Sequence, residues 1–320
     1  MKTVFNITTS DDDMDRFSCQ EELLELMDGF DGVELMYYGP DVKGIIPKEK
    51  VYGVHLDYFP YWLDFWNQDK EAMNEEFGDW KLCEKVYGSF DRNILVRQIQ
   101  RDMKIAHEYG AEYVVYHTTD ARIEETFTEK YRHTDEEVID GLIELLNEAL
   151  KDEDGSILFL VENLWQPGFR FTRPEMTKRL LDGIQYKNKG IMLDTGHLFH
   201  TDTSIRTQEA GLQYIYKQLD AHGELCKYIR GMHLNQSLTG ELMEETAKNP
   251  PEMAKSYDER RGQMFWHAFA MDKHEPFTCE GVDKLVERIA PDYLTFEFIT
   301  ADSKQHLEYL TEQRIALKMF

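Results

Sequence analysis

The stretch Gly190-Ile-Met-Leu-Asp-Thr-Gly-His-Leu-Phe-His200 decides the fold. Its apolar run ends in Asp194, and Thr195, Gly196 and His197 follow. A short apolar run that closes on a turn is typical of a buried strand in a parallel sheet. A carboxylate at the strand end and an imidazole on the next turn can bind one divalent metal ion from the same side. The stretch therefore predicts a parallel sheet with a metal-binding edge.

Strand and helix candidates alternate along the rest of the chain. Eight strands are predicted, at 3–8, 32–37, 51–56, 111–117, 156–162, 190–194, 228–234 and 293–298. Helices are predicted at 11–30 (with N-cap candidates in Asp11 to Asp13), 91–109, 134–152 (with a Thr134/Glu137 capping box), 174–184, 207–226, 282–289 and 303–317. Eight such units predict an α/β fold, a single-domain (β/α)8 TIM barrel over 1–320, with an insertion at about 235–280 after the seventh strand. A doubly wound open sheet is the alternative, but no Gly-rich phosphate loop follows the first strand.

The composition of the chain limits the classes of partner that we expect it to bind. The 320 residues carry a net charge of −25, which argues against nucleic acid as the main partner, because phosphate backbones are held by Lys and Arg. No apolar run is long enough to cross a bilayer, so a membrane partner is not expected. The four cysteines form no C-x-x-C pair, and the N-terminus lacks the apolar core of a signal peptide. These features predict a cytoplasmic protein.

Metal-competent side chains end six of the eight predicted strands. In barrels of this type the chemistry lies at the C-terminal ends of the strands. One histidine at such a place is usually a core or surface residue, but six coincidences at the same barrel end indicate a metal site. Mixed imidazole and carboxylate donors favour Zn²⁺ or Mn²⁺, with Mg²⁺ and Co²⁺ as alternatives. The candidates are His55, His117, Glu162, Asp194 with His197, His233 and Glu297.

Four short motifs carry a resemblance to a known family. They are Val161-Glu162-Asn163, Leu193-Asp194-Thr195-Gly196-His197, Met232-His233-Leu234-Asn235 and Phe296-Glu297. In their order along the chain they resemble the xylose isomerase-like barrel superfamily. That superfamily contains sugar isomerases and epimerases, and also apurinic-site endonucleases with three zinc ions. Its barrels are often dimers or tetramers, so the resemblance is compatible with a homo-oligomer.

The isomerase and epimerase branch implies our first hypothesis. By this resemblance Glu162, Asp194, His233 and Glu297 would hold one divalent metal. Glu162 and Glu297 would also be catalytic, exchanging a proton beside the carbonyl of a sugar, a sugar phosphate or a related polyol. A metal on the carbonyl and hydroxyl oxygens would stabilise the enediolate. His197 would contact a substrate hydroxyl.

The endonuclease branch implies a different metal count. By resemblance His55, His117, His197, Asp272 and His274 would join the four residues above in a cluster of two or three ions that hydrolyses a phosphoester. The chain departs from this branch in two ways: Gln236 follows Asn235 where the branch has Asp, and the gap from His233 to Asp272 is longer. Asp272 and His274 are therefore either ligands or part of a solvated loop. A non-catalytic barrel that binds a sugar or a metal is the third hypothesis.

Aromatic residues supply candidates for substrate binding. The crowded stretch 58–66, which includes Trp62, follows the third strand, and Trp165 lies just past Glu162. Aromatic faces pack well on sugars, so Trp62 and Trp165 are predicted to contact the substrate together with His117 and His197. Core packing or a subunit interface is the alternative for 58–66. Glu34, near the end of the second strand, receives no role.

Overall fold

Eight parallel strands close into one barrel in the computed structural model, which describes residues 1–319. Each strand pairs with its neighbours along the chain, and β1 pairs with β8. This confirms the predicted single-domain (β/α)8 barrel. The strands are β1 (Lys2–Thr8), β2 (Gly32–Met36), β3 (Val51–His55), β4 (Tyr113–His117), β5 (Leu158–Glu162), β6 (Lys189–Asp194), β7 (Ile229–His233) and β8 (Tyr293–Phe296).

Helices surround the barrel and also cross its C-terminal end. They are α1 (Asp11–Met14), α2 (Gln20–Leu26), α3 (Leu63–Trp66), α4 (Lys70–Phe77), α5 (Leu82–Tyr87), α6 (Asn93–Tyr109), α7 (Glu125–Thr128), α8 (Asp135–Ala149), α9 (Pro174–Gly183), α10 (Thr195–His200), α11 (Gln208–His222), α12 (Gly240–Lys248), α13 (Tyr257–Met271), α14 (Val282–Ile289) and α15 (Ser303–Ala316). Short 3-10 turns precede β3 and β7. Among residues 1–319, no helix has the length and hydropathy that crossing a bilayer requires.

Of two helices predicted from local end signals, one is confirmed and the other is wrong. The Thr134/Glu137 capping box of α8 is present as predicted. The single helix predicted over 11–30 is wrong, because α1 and α2 are separate. Ser10 caps α1, while the Asp13 carboxylate accepts a hydrogen bond from Thr8 N–H (2.9 Å). Arg16, in the break between the helices, donates to the carbonyl of Thr300 (2.5 Å), which ties this segment to the chain after β8.

The segment 235–280 contains α12 and α13. Two bonds between Gln236 and Glu275 (2.8 and 3.0 Å) close its base as an isolated antiparallel bridge. Ser256 and Glu259 form a capping box at the start of α13, so this helix has a strong local start signal. The segment therefore leaves the barrel after β7 as an ordered excursion and returns to it before α14.

Large side chains fill the inside of the barrel because some strand positions carry no Cβ. Gly53 of β3 faces the ring of Tyr113 on β4, and a Cβ at Gly53 would overlap that ring. The Tyr113 hydroxyl is fully buried and donates to Glu34 Oε2 of β2 (2.7 Å). The barrel interior thus supports a carboxylate directly beneath the strand ends.

Candidate metal centre

The strand ends bring the predicted residues to one place. His55, His117, Glu162, Asp194 and His233 are the last residues of β3 to β7, and Glu297 follows β8 directly. His197 lies one turn into α10, where Asp194 caps the helix by accepting from His197 N–H (2.6 Å). All of these side chains are buried except that of His117, which is partly exposed.

Glu162 is the centre of the group. Its carboxylate is fully buried and lies against four imidazoles. Oε2 is 3.2 Å from His55 Nε2 and 3.1 Å from His117 Nε2. Oε1 is 3.0 Å from His233 Nδ1 and 3.4 Å from His197 Nδ1. The two oxygens of one carboxylate therefore face two different sets of neighbours.

At this end of the barrel, three sets of side chains have ligand atoms close enough to hold a metal ion. Within each set these atoms lie within 4.8 Å of one another. Asp272 adds to the set that contains His197 and His274, because its Oδ2 is 3.0 Å from His197 Nε2 and 2.9 Å from His274 Nε2. The sets are His55, His117 and Glu162; Glu162, Asp194, His233 and Glu297; and Asp194, His197 and His274. Of the two residues that the sequence left open, His274 is thus buried beside His197, and Asp272 is partly buried against both histidines.

Hydrogen bonds from behind orient the imidazoles. The carbonyl of Leu56 accepts from His55 Nδ1 (3.2 Å), and that of Asn163 accepts from His197 Nδ1 (3.0 Å). Because a carbonyl can only accept, each of these Nδ1 atoms carries a proton, so Nε2 is the nitrogen available to bind a metal ion once it is deprotonated. Outer contacts of this kind fix the tautomer of metal-binding histidines.

Glu34 is the residue that the sequence analysis left without a role. Both of its oxygens lie against His233 Nε2 (3.0 and 3.1 Å), and it accepts from Tyr113 and Thr295. Glu34 therefore holds His233 with Nδ1 facing Glu162, Asp194 and Glu297. The available signal was a carboxylate inside the apolar strand Gly32–Met36, a position that burial disfavours unless the charge is paired.

The electrostatics of the cluster suit divalent cations. Burial works against the charge of Glu162, yet the neighbouring His233 and His117 hold its pKa well below the usual range. Burial also opposes the charge of Glu297, but His233 and His274 lower the pKa of that carboxyl to about 2. Burial raises the pKa of Asp194 to about 7. Two buried atoms, Glu297 Oε2 and His274 Nδ1, have no hydrogen-bond partner within residues 1–319. The mixed nitrogen and oxygen donors fit Zn²⁺ or Mn²⁺.

A cavity of about 1280 Å³ opens above this cluster. His55, His117, His197 and Asp272 form part of its wall, and Trp165 lines it beside His197 (ring centroids 5.3 Å apart). Tyr58 also lines the cavity, with its ring 4.2 Å from that of His117. Burial raises the pKa of the Tyr58 hydroxyl to about 12, so this group stays a hydrogen-bond donor at neutral pH.

Trp62 does not belong to this cavity, and its prediction as a substrate contact is wrong. Its side chain is buried, and the indole N–H donates to the carbonyl of Thr119 (2.8 Å). The ring lies close to Gly141 of α8, with Leu63 beside it. Because the ring is buried by its neighbours, no face of the indole is open to a ligand, and Trp62 is part of the protein core.

The fold is a (β/α)8 barrel with a candidate metal centre at its strand ends. The profile of the family described as xylose isomerase-like TIM barrel matches residues 88–308, and the chain belongs to this family. Similar solved structures include endonuclease IV from Thermus thermophilus (16% identity, 100% of both chains, TM-score 0.52). Others are a D-psicose 3-epimerase in the presence of D-fructose (10%, 99% of both chains, 0.52) and an IolI protein with a bound zinc atom (15%, 100% of this chain and 99% of that one, 0.52). At these identities the similarity concerns the fold.

Proposed function

We propose that this protein is a metal-dependent hydrolase of phosphoesters with a centre for up to three divalent ions. The observation that carries the proposal is the third set of side chains. Asp272 and His274 come from the far end of a long excursion, yet Asp272 Oδ2 lies 3.0 Å from His197 Nε2 and 2.9 Å from His274 Nε2. A single-ion isomerase site would not require these contacts.

Two carboxylates are shared between the three sets of candidate ligands. Glu162 connects the first two sets through its two oxygens, and Asp194 connects the second and third. When bound, divalent ions would neutralise charge on the phosphoester oxygens and lower the pKa of an attacking water. The Tyr58 hydroxyl, protonated at neutral pH, is available to donate a hydrogen bond to the substrate above the cluster.

A metal-dependent sugar isomerase or epimerase, our first hypothesis, is the second candidate. It is favoured by the compact set of Glu162, Asp194, His233 and Glu297. It would need Glu162 and Glu297 to take a proton from carbon. Neither carboxylate is among the residues that line the cavity, so a ligand held in the cavity would not meet these groups directly. This is why we rank the hydrolase first.

Metal content and one substitution separate the two candidates. Protein purified without chelators or metal-affinity resin should contain two or three ions per chain by elemental analysis and should hydrolyse bis(p-nitrophenyl) phosphate. Asp272→Asn should lower both the ion count and hydrolysis, the latter by about 100-fold or more, because a lost ion removes several kcal/mol of charge stabilisation.

The matched control is Asp292→Asn, an exposed carboxylate that pairs with Arg230 at the opposite end of the barrel. It should leave both quantities unchanged. If the protein contains about one ion per chain, and if it turns over a ketose at a rate that Asp272→Asn does not change, the isomerase function is correct and the hydrolase function is wrong. In that case Glu162→Gln and Glu297→Gln should each abolish isomerisation.

A further inference from the structure

Helix α13 forms a roof over the candidate centre. At its start, Tyr257 packs on Phe77 of α4 (ring centroids 4.8 Å apart), and Asp258 pairs with Lys85 of α5 (2.7 Å). Near its end, His267 stacks on Phe127 of α7 (4.4 Å, 21°), and the helix is followed directly by Asp272. Fifteen residues span about 22 Å. The helix therefore crosses the barrel mouth from α4 and α5 to the side of His197 and His274.

One face of this helix lines the cavity along its whole length. The residues on that face follow the helical period, whereas Trp266 and Phe269 on other faces are exposed, at 73% and 40%. The cavity-lining residues include Tyr257, Arg261, Met264, Phe265, Ala268 and Met271. A ligand held in this cavity can therefore contact α13 along the length of the helix.

Arg261 is the cationic group of this face that lacks an acidic partner. No ion pair involves it within residues 1–319. The two other arginines of the cavity wall are already paired: Arg97 with Asp91 (3.0 Å), and Arg101 with Asp57 and Asp102 (3.6 and 2.9 Å). The acidic Asp258 on the same face is held by Lys85. Arg261 precedes Asp272 by eleven residues, which places it about 16 Å away along the helix.

The cavity wall also offers an unused acceptor. Gln166, in the loop after β5, is buried, and its Oε1 has no hydrogen-bond partner within the described residues. Burying an unpaired carbonyl oxygen costs free energy, so this atom is available to a water molecule or a ligand that donates to it. Glu129 contributes a further, exposed carboxylate to this wall. The wall is thus polar at isolated points, as in sites for small molecules.

We propose that α13 restricts this site to small-molecule phosphoesters that lie along the helix, with Arg261 binding a second anionic group remote from the reacting phosphate. Duplex nucleic acid would be excluded, because it cannot pass beneath a helix anchored at both ends, and because the chain carries a charge of −25. The identity of the reacting group rests on the proposed function. The position of the second anionic subsite does not.

Binding measurements on the metal-loaded full chain test the subsite. The probes are alkane-α,ω-bisphosphonates with butane, octane and dodecane linkers, and alkyl monophosphonates of the same lengths, titrated by calorimetry. The octane or dodecane bisphosphonate should bind about tenfold more tightly than its monophosphonate, a typical gain for one charge-assisted contact. Arg261→Ala should abolish this difference. Arg288→Ala, the same change on the outer helix α14, should preserve it.

Two results would overturn the proposal. One is equal binding of bisphosphonates and monophosphonates at every length, or a loss that Arg261→Ala and Arg288→Ala share. The other is cleavage of a short duplex with a single abasic site as efficient as hydrolysis of small phosphodiesters. If no phosphoester of any kind is hydrolysed, the proposed function fails, but the phosphonate series still decides whether Arg261 binds a second anion.

Discussion

Substitution of Glu34 by Gln tests whether the group behind His233 matters for the metal. Glu34 contacts His233 Nε2 with both oxygens (3.0 and 3.1 Å) and accepts from Tyr113 (2.7 Å) and Thr295 (3.0 Å). It is almost completely buried and does not line the cavity. Gln preserves the shape but removes the charge, and its amide nitrogen cannot accept from Tyr113. The substitution therefore changes the support of His233 and leaves the candidate ligands themselves intact.

The expected effect is a weaker metal site with an unchanged fold. Losing an orienting carboxylate behind a metal-binding histidine typically lowers metal affinity by 10- to 100-fold, which corresponds to about 1.4–2.7 kcal/mol. In the metal-free protein, Glu34 helps to raise the pKa of His233 well above its usual value, against the effect of burial. Competition with a chromophoric chelator gives the dissociation constant, and elemental analysis gives the occupancy.

The control is Glu112→Gln. This exposed carboxylate accepts from Tyr293 (2.7 Å) and lies on the chain just before β4, at the opposite end of that strand from His117. It should leave metal affinity unchanged. An affinity in Glu34→Gln within twofold of that of the unaltered protein would refute the reasoning, because it would mean that His233 needs no orienting carboxylate or does not bind the ion.

Three further predictions concern protons and packing. Against the effect of burial, Asp272 and Glu297 raise the pKa of His274 to about 9, so at pH 7.5 metal binding should release protons and become tighter as the pH rises. Calorimetry in two buffers of different ionisation enthalpy measures the number of protons released. A release of zero protons would contradict the prediction. Burial lowers the pKa of His306 to about 4, below its value near 6.5 in the unfolded state. Between these two pH values the unfolded state binds more protons, so the free energy of unfolding falls as the pH drops through them. In urea unfolding, His306→Leu should remove about 2 kcal/mol of the loss of stability between pH 6.5 and 4.5. Gly53→Ala should cost about 1–3 kcal/mol of unfolding free energy because its methyl would overlap Tyr113, whereas Gly262→Ala, with no atom within 4 Å of the added carbon, should change it by less than about 1 kcal/mol.

The barrel could be predicted from the sequence because its signals are local. Apolar runs that end in Gly, Asp or His mark the strands, and Thr134 with Glu137 marks a helix start. The break between α1 and α2 could not be predicted, because Arg16 is held by Thr300, a residue 284 positions later. A break of this kind depends on the closed barrel, which no window of the sequence contains.

The same difference between local signals and long-range contacts decides which residues of the candidate site could be predicted. Strand-end residues such as His233 and Glu162 could be predicted to meet, because a barrel brings all its strand ends to one rim. The role of Glu34 could not be predicted, because it depends on a contact with a histidine 199 positions later. Trp62 was wrongly assigned to the pocket, since only the folded chain shows that Thr119 takes up its donor.

The position of Asp272 at the end of α13 has an evolutionary consequence. The helix that forms the roof and the carboxylate that contacts His197 and His274 belong to one continuous segment. An insertion or deletion of a single residue within α13 would rotate its cavity face by about 100° and shift Asp272 by about 1.5 Å. Substrate preference in this lineage should therefore diversify by point substitution on the roof, whereas changes of length should accumulate in 249–256, before the helix begins.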